Sequence, residues 1–217
     1  MQIIRVSLVM SIAFFIEIMA QSEPITFKTR SQVVTATNGG KYEPIEKEAT
    51  WESTQTAVII VDMWDDHWCP NAAKRVTEMA KPMNKVIKLA REKGMLIIHA
   101  PSSTVDFYKG TLARKRSINA PSASPPKPLS KDVRWGTNWC WPDKFRETEL
   151  PIDDSDMGCD CEKEFPIREA WTRQIKTIEI DDEYDAITDN GQEAYNLLVE
   201  HKIENVILMG VHLNMCV

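Results

Sequence analysis

Ala57-Val58-Ile59-Ile60-Val61, closed by Asp62, is a continuous apolar run rich in β-branched residues. Such a run marks a strand covered on both faces, as in a parallel sheet. Downstream, Asn71 can cap a helix reaching about Lys93, with Val76, Met79, Ala80, Met83, Val86, Ile87 and Ala90 forming one apolar stripe. Gly94 closes that helix, and Met95-Leu96-Ile97-Ile98-His99-Ala100 reads as a second buried strand. Strand, helix and strand at this spacing predict a right-handed βαβ unit.

The same alternation returns near the end of the chain. Lys176-Thr177-Ile178-Glu179-Ile180 is a short strand candidate. Asp189 or Asn190 can cap a helix carrying Ala194, Leu197 and Leu198, and Asn205 to Val211 is another buried strand, followed by His212-Leu213-Asn214-Met215-Cys216-Val217. Together these segments predict an α/β fold, a three-layer α/β/α sandwich around a parallel sheet. Ahead of it, Ser31 to Thr37 alternates and stops at Asn38-Gly39-Gly40, with a further stretch from Lys41 to Trp51. That pattern predicts an N-terminal β-hairpin extension over 23–55, its second strand weakened by Pro44. The main domain then spans 56–217 and carries an insertion over 101–170 without sustained periodicity. This insertion holds four prolines between Pro121 and Pro128, then Trp135, Trp139 and Trp141, then Asp153, Asp154 and Asp156. It reads either as a locally packed surface insertion or as a substrate-covering lid.

A chain of 217 residues, 43% hydrophobic, can bury one good core. Its net charge of -6 argues against nucleic acid, which needs a basic face. Arg5, the apolar run Val6 to Ile16, and Ala20-Gln21-Ser22 have the layout of a secretory signal over 1–22. The alternative is an uncleaved anchor or a buried helix; the run is short for a membrane span, which needs roughly 20 apolar residues. Export implies a secreted or periplasmic protein with no membrane association after cleavage. In an oxidising compartment four of Cys69, Cys140, Cys159, Cys161 and Cys216 can pair. A bridge from Cys159 or Cys161 back to Cys140 or Cys69 is one arrangement; a metal clip at Cys159-Asp160-Cys161 is another, disfavoured without further ligands.

Active sites of open parallel sheets lie at the carboxyl ends of strands. Asp62 ends the first strand and Cys216 follows the last, so both can face one crevice. A carboxylate there can take the thiol proton and generate the nucleophilic thiolate. Thr56-Ala-Val-Ile-Ile-Val-Asp62-Met63 and the distant Asn205-Val-Ile-Leu-Met-Gly210-Val-His-Leu-Asn-Met-Cys216-Val217 resemble the isochorismatase-like cysteine hydrolases, a superfamily that includes nicotinamidases and other small-amide hydrolases. The resemblance implies Asp62 as general base, Cys216 as nucleophile and a cis Val211–His212 bond shaping an oxyanion hole near Met215 and Cys216. It implies hydrolysis of a small-molecule C–N bond through a thioester, without a cofactor, in a homo-oligomer. A Cys216 pKa well below about 8.5, raised on Asp62→Asn, goes with that reading.

Three departures stand out. The family's catalytic lysine aligns near Asp181, and Lys176 is the nearest candidate. The Asp-x-His metal site of nicotinamidases is replaced by His99 alone, so no metal is expected, and a lone strand-end histidine is more often a satisfied core group. Trp64 stands where glutamine is usual and, with His67 and Trp68, can wall a substrate pocket. The family continues past its cysteine with a helix, a strand and a closing helix, so the chain reads as a C-terminally truncated copy whose isolated form folds poorly. A catalytically impaired relative with a binding or structural role is the alternative, and a redox-reactive Cys216 a weaker third.

Overall fold

The computed structural model describes residues 24–34, 42–124, 159–163, 165–213 and 216–217. The secretory-signal segment, the Asn38-Gly39-Gly40 turn, Cys140, the Trp135–Trp139–Trp141 stretch, the acidic stretch and Met215 lie outside the described residues.

Strands β1 (Pro24–Val34) and β2 (Tyr42–Glu52) form an antiparallel ribbon in register from Pro24↔Glu52 to Val34↔Tyr42. Pairing begins seven residues before Ser31, because cross-strand contacts extend it: Phe27 meets Trp51 edge-on at 5.1 Å, and Thr26 and Thr50 share a 3.0 Å hydrogen bond. Pro44 is tolerated opposite Gln32, since both strands of a two-stranded ribbon are edges.

The main domain is mixed α/β. Strands β3 (Thr56–Val61), β4 (Leu96–Ala100), β5 (Ala186–Ile187) and β6 (Asn205–Gly210) make a four-stranded parallel sheet in the order β5-β4-β3-β6. Helices α1 (Pro70–Glu92), α2 (Leu112–Asn119) and α3 (Gly191–Glu200) pack on it. The strand period of two divides the apolar residues between two cores. Val58, Ile60 and Ile97 meet Val76, Ala80, Met83, Ile87 and Ala90 of α1. Ala57, Leu96 and Ile98 meet Leu197 of α3 and Ala120 just after α2. Ile60, Ile87 and Ile98 are fully buried, each stabilising the fold by roughly 1.5–3 kcal/mol relative to exposure. This arrangement is compatible with an α/β sandwich.

Several sequence expectations need correction. Asn71 does not cap α1: Cys69 is the capping residue and Pro70 opens the helix, where its missing N–H costs nothing. Met79 and Val86 of the predicted stripe are exposed, so the buried face is narrower. Lys176 to Ile180 is not a strand. Lys176 and Thr177 form a turn closed by the Ile178 N–H donating to the Ile175 carbonyl at 3.1 Å, and the strand beside β4 is the two-residue β5. The start of the insertion is regular, with a 3-10 turn at Val105–Tyr108 and α2 behind it. Only Ala113 and Ser117 of α2 are buried, so charge anchors it: Arg114 pairs with Glu193, and Arg116 donates to the Asp185 and Glu183 carbonyls. Asn190 does cap α3, its Oδ1 accepting from the Gln192 and Glu193 N–H groups. No helix among the described residues is long and apolar enough to cross a membrane.

Gly210 sets how closely β6 approaches β3. A Cβ there would lie 1.9 Å from the Val61 carbonyl oxygen, and its φ of +141° is one that side-chain-bearing residues rarely adopt. Only glycine lets Val211 N–H reach that same carbonyl, at 3.1 Å, and continue the pairing past the strand end.

Candidate active site

The parallel register places Val61 beside both Ala100 and Gly210, so the residues after three strands gather at one sheet edge. Asp62 leaves β3 at φ +48°, an uncommon conformation for a residue with a side chain and one that clusters at functional sites. Its N–H donates to the Ala100 carbonyl at 3.2 Å, and its Oδ1 accepts from the Ser102 N–H at 2.8 Å. Asp62 is 0% exposed, yet Oδ2 has no hydrogen-bond partner satisfying ordinary geometry among the described residues. A buried, half-satisfied carboxylate is costly and calls for an explanation.

Cys216 supplies the neighbour. Burial pushes the Asp62 carboxyl above its ordinary value, and the Cys216 thiol, the Ser102 N–H and His212 only partly offset this. In return, desolvation and then the adjacent Asp62 carboxylate push the Cys216 thiol up to about 12. This corrects the expectation of a lowered Cys216 pKa. Two adjoining acids cannot both ionise cheaply, and among the described residues the groups acting on the pair include no lysine or arginine. Cys216 is exposed as a residue, so the adjacent Asp62 carboxyl is the firmer of the two causes, and it favours the protonated form of the thiol. By the same logic Asp62→Asn lowers the thiol pKa, opposite to the sequence-based expectation.

The chain after β6 completes the corner. The Val211–His212 peptide bond is cis, and the Val217 N–H donates to the His212 carbonyl at 3.1 Å. His212 packs edge-on to His67 at 5.2 Å. His67 in turn lies over Trp171 at 5.6 Å and against Trp68 at 5.3 Å, and Trp64 stacks on Trp171 at 4.1 Å with ring planes 7° apart. Burial holds both imidazoles below their usual pKa, so they are neutral near pH 7. Trp64, His67 and Trp68 therefore do belong to an aromatic group that reaches His212. Trp171, which the sequence did not single out, is its centre, and its buried indole N–H has no partner among the described residues.

A short bridge aligns that stack. Trp64 pairs with Gln174, the Ile175 N–H donates to the Met63 carbonyl at 2.7 Å, and Asp65 N–H donates to the Arg173 carbonyl at 2.9 Å. Asp65 also accepts from the Thr172 N–H and hydroxyl, which overcome its desolvation and hold its carboxyl low. Trp64 itself is fixed by its indole N–H donating to the Ser102 carbonyl at 3.2 Å. Ser102 thus touches both Asp62 and the aromatic group. Its position directly after a buried strand was the available signal for it.

Lys176 is placed differently from expectation: it is exposed in its turn, and no hydrogen bond or ion pair joins it to Asp62 or Cys216. His99 is fully buried and satisfied, its Nε2 bonded to Asp185 at 3.0 Å and its Nδ1 paired with the Gln174 side-chain oxygen at 2.9 Å. Compared with known proteins, the chain matches no family model and no curated sequence.

Proposed function

We propose that the protein is an isochorismatase-like cysteine hydrolase that cleaves a C–N bond of a small amide. The observation carrying this reading is the Asp62–Cys216 pair, a buried carboxylate with a free oxygen set against a protonated thiol. As the sulfur attacks the amide carbonyl carbon, Asp62 takes the thiol proton, so the high resting pKa of the thiol is no obstacle. Asp62 then gives that proton to the departing amine, and a thioester remains. Water attacks the thioester carbonyl while Asp62 accepts its proton; the acid product leaves and the proton returns to sulfur. Backbone N–H groups after the cis bond are the proposed oxyanion donors. The aromatic stack beside His212 is the proposed wall for a flat or apolar part of the substrate, with no metal or other cofactor. The same reading takes the protein as exported and oligomeric.

Ammonia release from a panel of small carboxamides tests this reading. Turnover by the wild type, lost at least about 10³-fold in Cys216→Ala, supports it. Failure of every amide, with Cys216 alkylated by iodoacetamide at the rate of a free thiol, sinks it. That no lysine or arginine among the described residues acts on Cys216 favours a second reading, a relative that keeps the pocket for binding alone. Binding of an amide without turnover would select it.

A further inference from the structure

A second cluster of sulfurs stands apart from Cys216. Cys69, the capping residue of α1, is 1% exposed. Cys159 and Cys161 come from the far side of the sequence and meet it: Cys159 Sγ lies 2.7 Å from Cys69 Sγ, and Cys161 Sγ lies 3.7 Å from it. The intervening Asp160 holds this loop in place, its carboxylate accepting from the Asn71 amide at 3.1 Å and from the Arg75 guanidinium. The meeting is therefore built by groups other than the sulfurs.

We propose that Cys69, Cys159 and Cys161 form a thiol–disulfide clasp in which Cys69 is the shared partner, bonded to Cys159 and exchangeable to Cys161. A 2.7 Å approach of two sulfurs is well inside ordinary non-bonded contact. It is also shorter than the sulfur–sulfur edge of about 3.8 Å that a tetrahedral zinc–thiolate site requires. Bond formation is thus favoured over metal binding, although all three sulfurs lie within 4.8 Å of one another.

The chemistry follows from burial. The half-buried Cys159 is the accessible thiol and the sealed Cys69 is the resolving one. Desolvation opposes ionisation of Cys69, but the Cys159 thiol and the free N–H groups of the α1 N-terminus outweigh it and hold Cys69 below its usual value. The hydrogen bond to Cys69 pushes the Cys159 thiol up to about 12, so the Cys159 sulfur attacks a small disulfide such as oxidised glutathione as its proton passes to the departing glutathione thiolate, giving a mixed disulfide and one reduced thiol. The Cys69 thiolate then attacks the Cys159 sulfur and expels the second. Two protein thiols are oxidised and one external disulfide is reduced to two thiols. Cys161 can next attack the Cys69 sulfur, forming Cys69–Cys161, releasing Cys159 as thiolate and passing it a proton through solvent.

Because the Cys69 N–H donates to His67 Nδ1 at 3.0 Å, the clasp adjoins the aromatic wall without sharing a residue with the Asp62–Cys216 pair. It stands or falls independently of the hydrolase reading.

The test is non-reducing peptide mapping of the full chain, equilibrated in glutathione buffers and blocked with N-ethylmaleimide. In oxidising buffer the wild type should show Cys69 bridged in every molecule, to Cys159 or to Cys161. Cys161→Ser should leave only Cys69–Cys159, and Cys159→Ser only Cys69–Cys161. Both variants change half-buried residues and leave Cys69 intact. Quantitative alkylation of Cys69 in oxidising buffer would overturn the proposal, as would a bridge from Cys159 or Cys161 to Cys140 with Cys69 free. One zinc per chain that shields all three thiols until a chelator removes it would replace the clasp with a metal site.

Discussion

Asp62 and Asp185 are both 0% exposed, and both lie beside the sheet, yet their neighbours treat them in opposite ways. Asp185 receives the Arg91 guanidinium through Nε at 2.9 Å and Nη2 at 2.6 Å, His99 Nε2 at 3.0 Å and the Asp181 N–H at 2.8 Å. Burial alone would raise its carboxyl, but the hydrogen bonds from His99 and Arg91 overcome that and hold it below the ordinary range. Asp62 receives one backbone N–H, keeps one oxygen free and is pushed upward. A saturated carboxylate keeps its charge to lower pH and serves as a girder between α1, β4 and the 181–185 turn. An unsaturated one can still exchange a proton, and that capacity makes Asp62 the candidate base.

Substitutions at the two sites should break this contrast in opposite directions. Asp62→Asn removes the proton acceptor, so turnover on any amide substrate should fall by on the order of 10²–10⁴. The same change should leave thermal stability equal or higher and lower the Cys216 pKa from about 12, read from the pH dependence of iodoacetamide alkylation. A rise in that pKa would mean that the carboxylate does not face the thiol. Asp185→Asn should instead destabilise the fold by about 1–3 kcal/mol in urea unfolding, because the partly buried Arg91 and the buried His99 lose their charged acceptor. A loss below about 1 kcal/mol would show that Asp185 is no girder.

The two carboxylates also predict opposite pH signatures. The folded pKa of Asp185 is depressed, so its contribution is present above the unfolded value of about 3.9 and is lost as pH falls through the folded pKa. The folded pKa of Asp62 is raised, so its contribution is present below that unfolded value and is lost as pH rises through the folded one. Melting temperatures from pH 3 to 8 should therefore show an acid limb that Asp185→Asn makes shallower, with Asp65 and Glu193 still contributing to it, and a wild-type deficit against Asp62→Asn that grows toward neutrality. The smallest effect should be at Lys176. Lys176→Ala should change stability by less than about 0.5 kcal/mol and leave turnover intact, as expected of an exposed turn residue. A large loss of turnover there would return it to the site.

This contrast also explains what the sequence could disclose. Ala57 to Val61 and Leu96 to Ala100 are legible because continuous apolar runs need two covered faces, and helices α1 and α3 because their buried residues recur at helical spacing. Asn205 to Gly210 is a strand as expected but not a buried one: Val206 and Leu208 are exposed, so one face is open. β5 is two residues long, and α2 is held by Arg114 and Arg116, so neither leaves a hydrophobic period to read. Asp62 and Cys216 were readable as strand-end residues. The direction of the thiol shift was not, because it depends on which charges stand nearby in space: Asp185 draws Arg91 from α1, whereas among the described residues Asp62 draws no lysine or arginine. Trp171 reaches the site through the 63–65 and 172–175 bridge, a pairing between segments about a hundred residues apart that no local pattern encodes.

The pairing of β3 with β6 has a kinetic consequence. Thr56 sits beside Asn205 and Val61 beside Gly210, so the central strand of the sheet must wait for a partner almost the whole domain away. Contacts of such long sequence separation carry a loop-closure cost before any return, and they slow folding. The interval in which β3 has β4 on one side and nothing on the other exposes an apolar strand edge to other chains. Docking of β6 covers the β3 edge, leaving β6 as the outer strand of the described sheet, and in the same event it delivers Cys216 to Asp62. A reactive thiol–carboxylate pair therefore exists only in molecules that have finished folding.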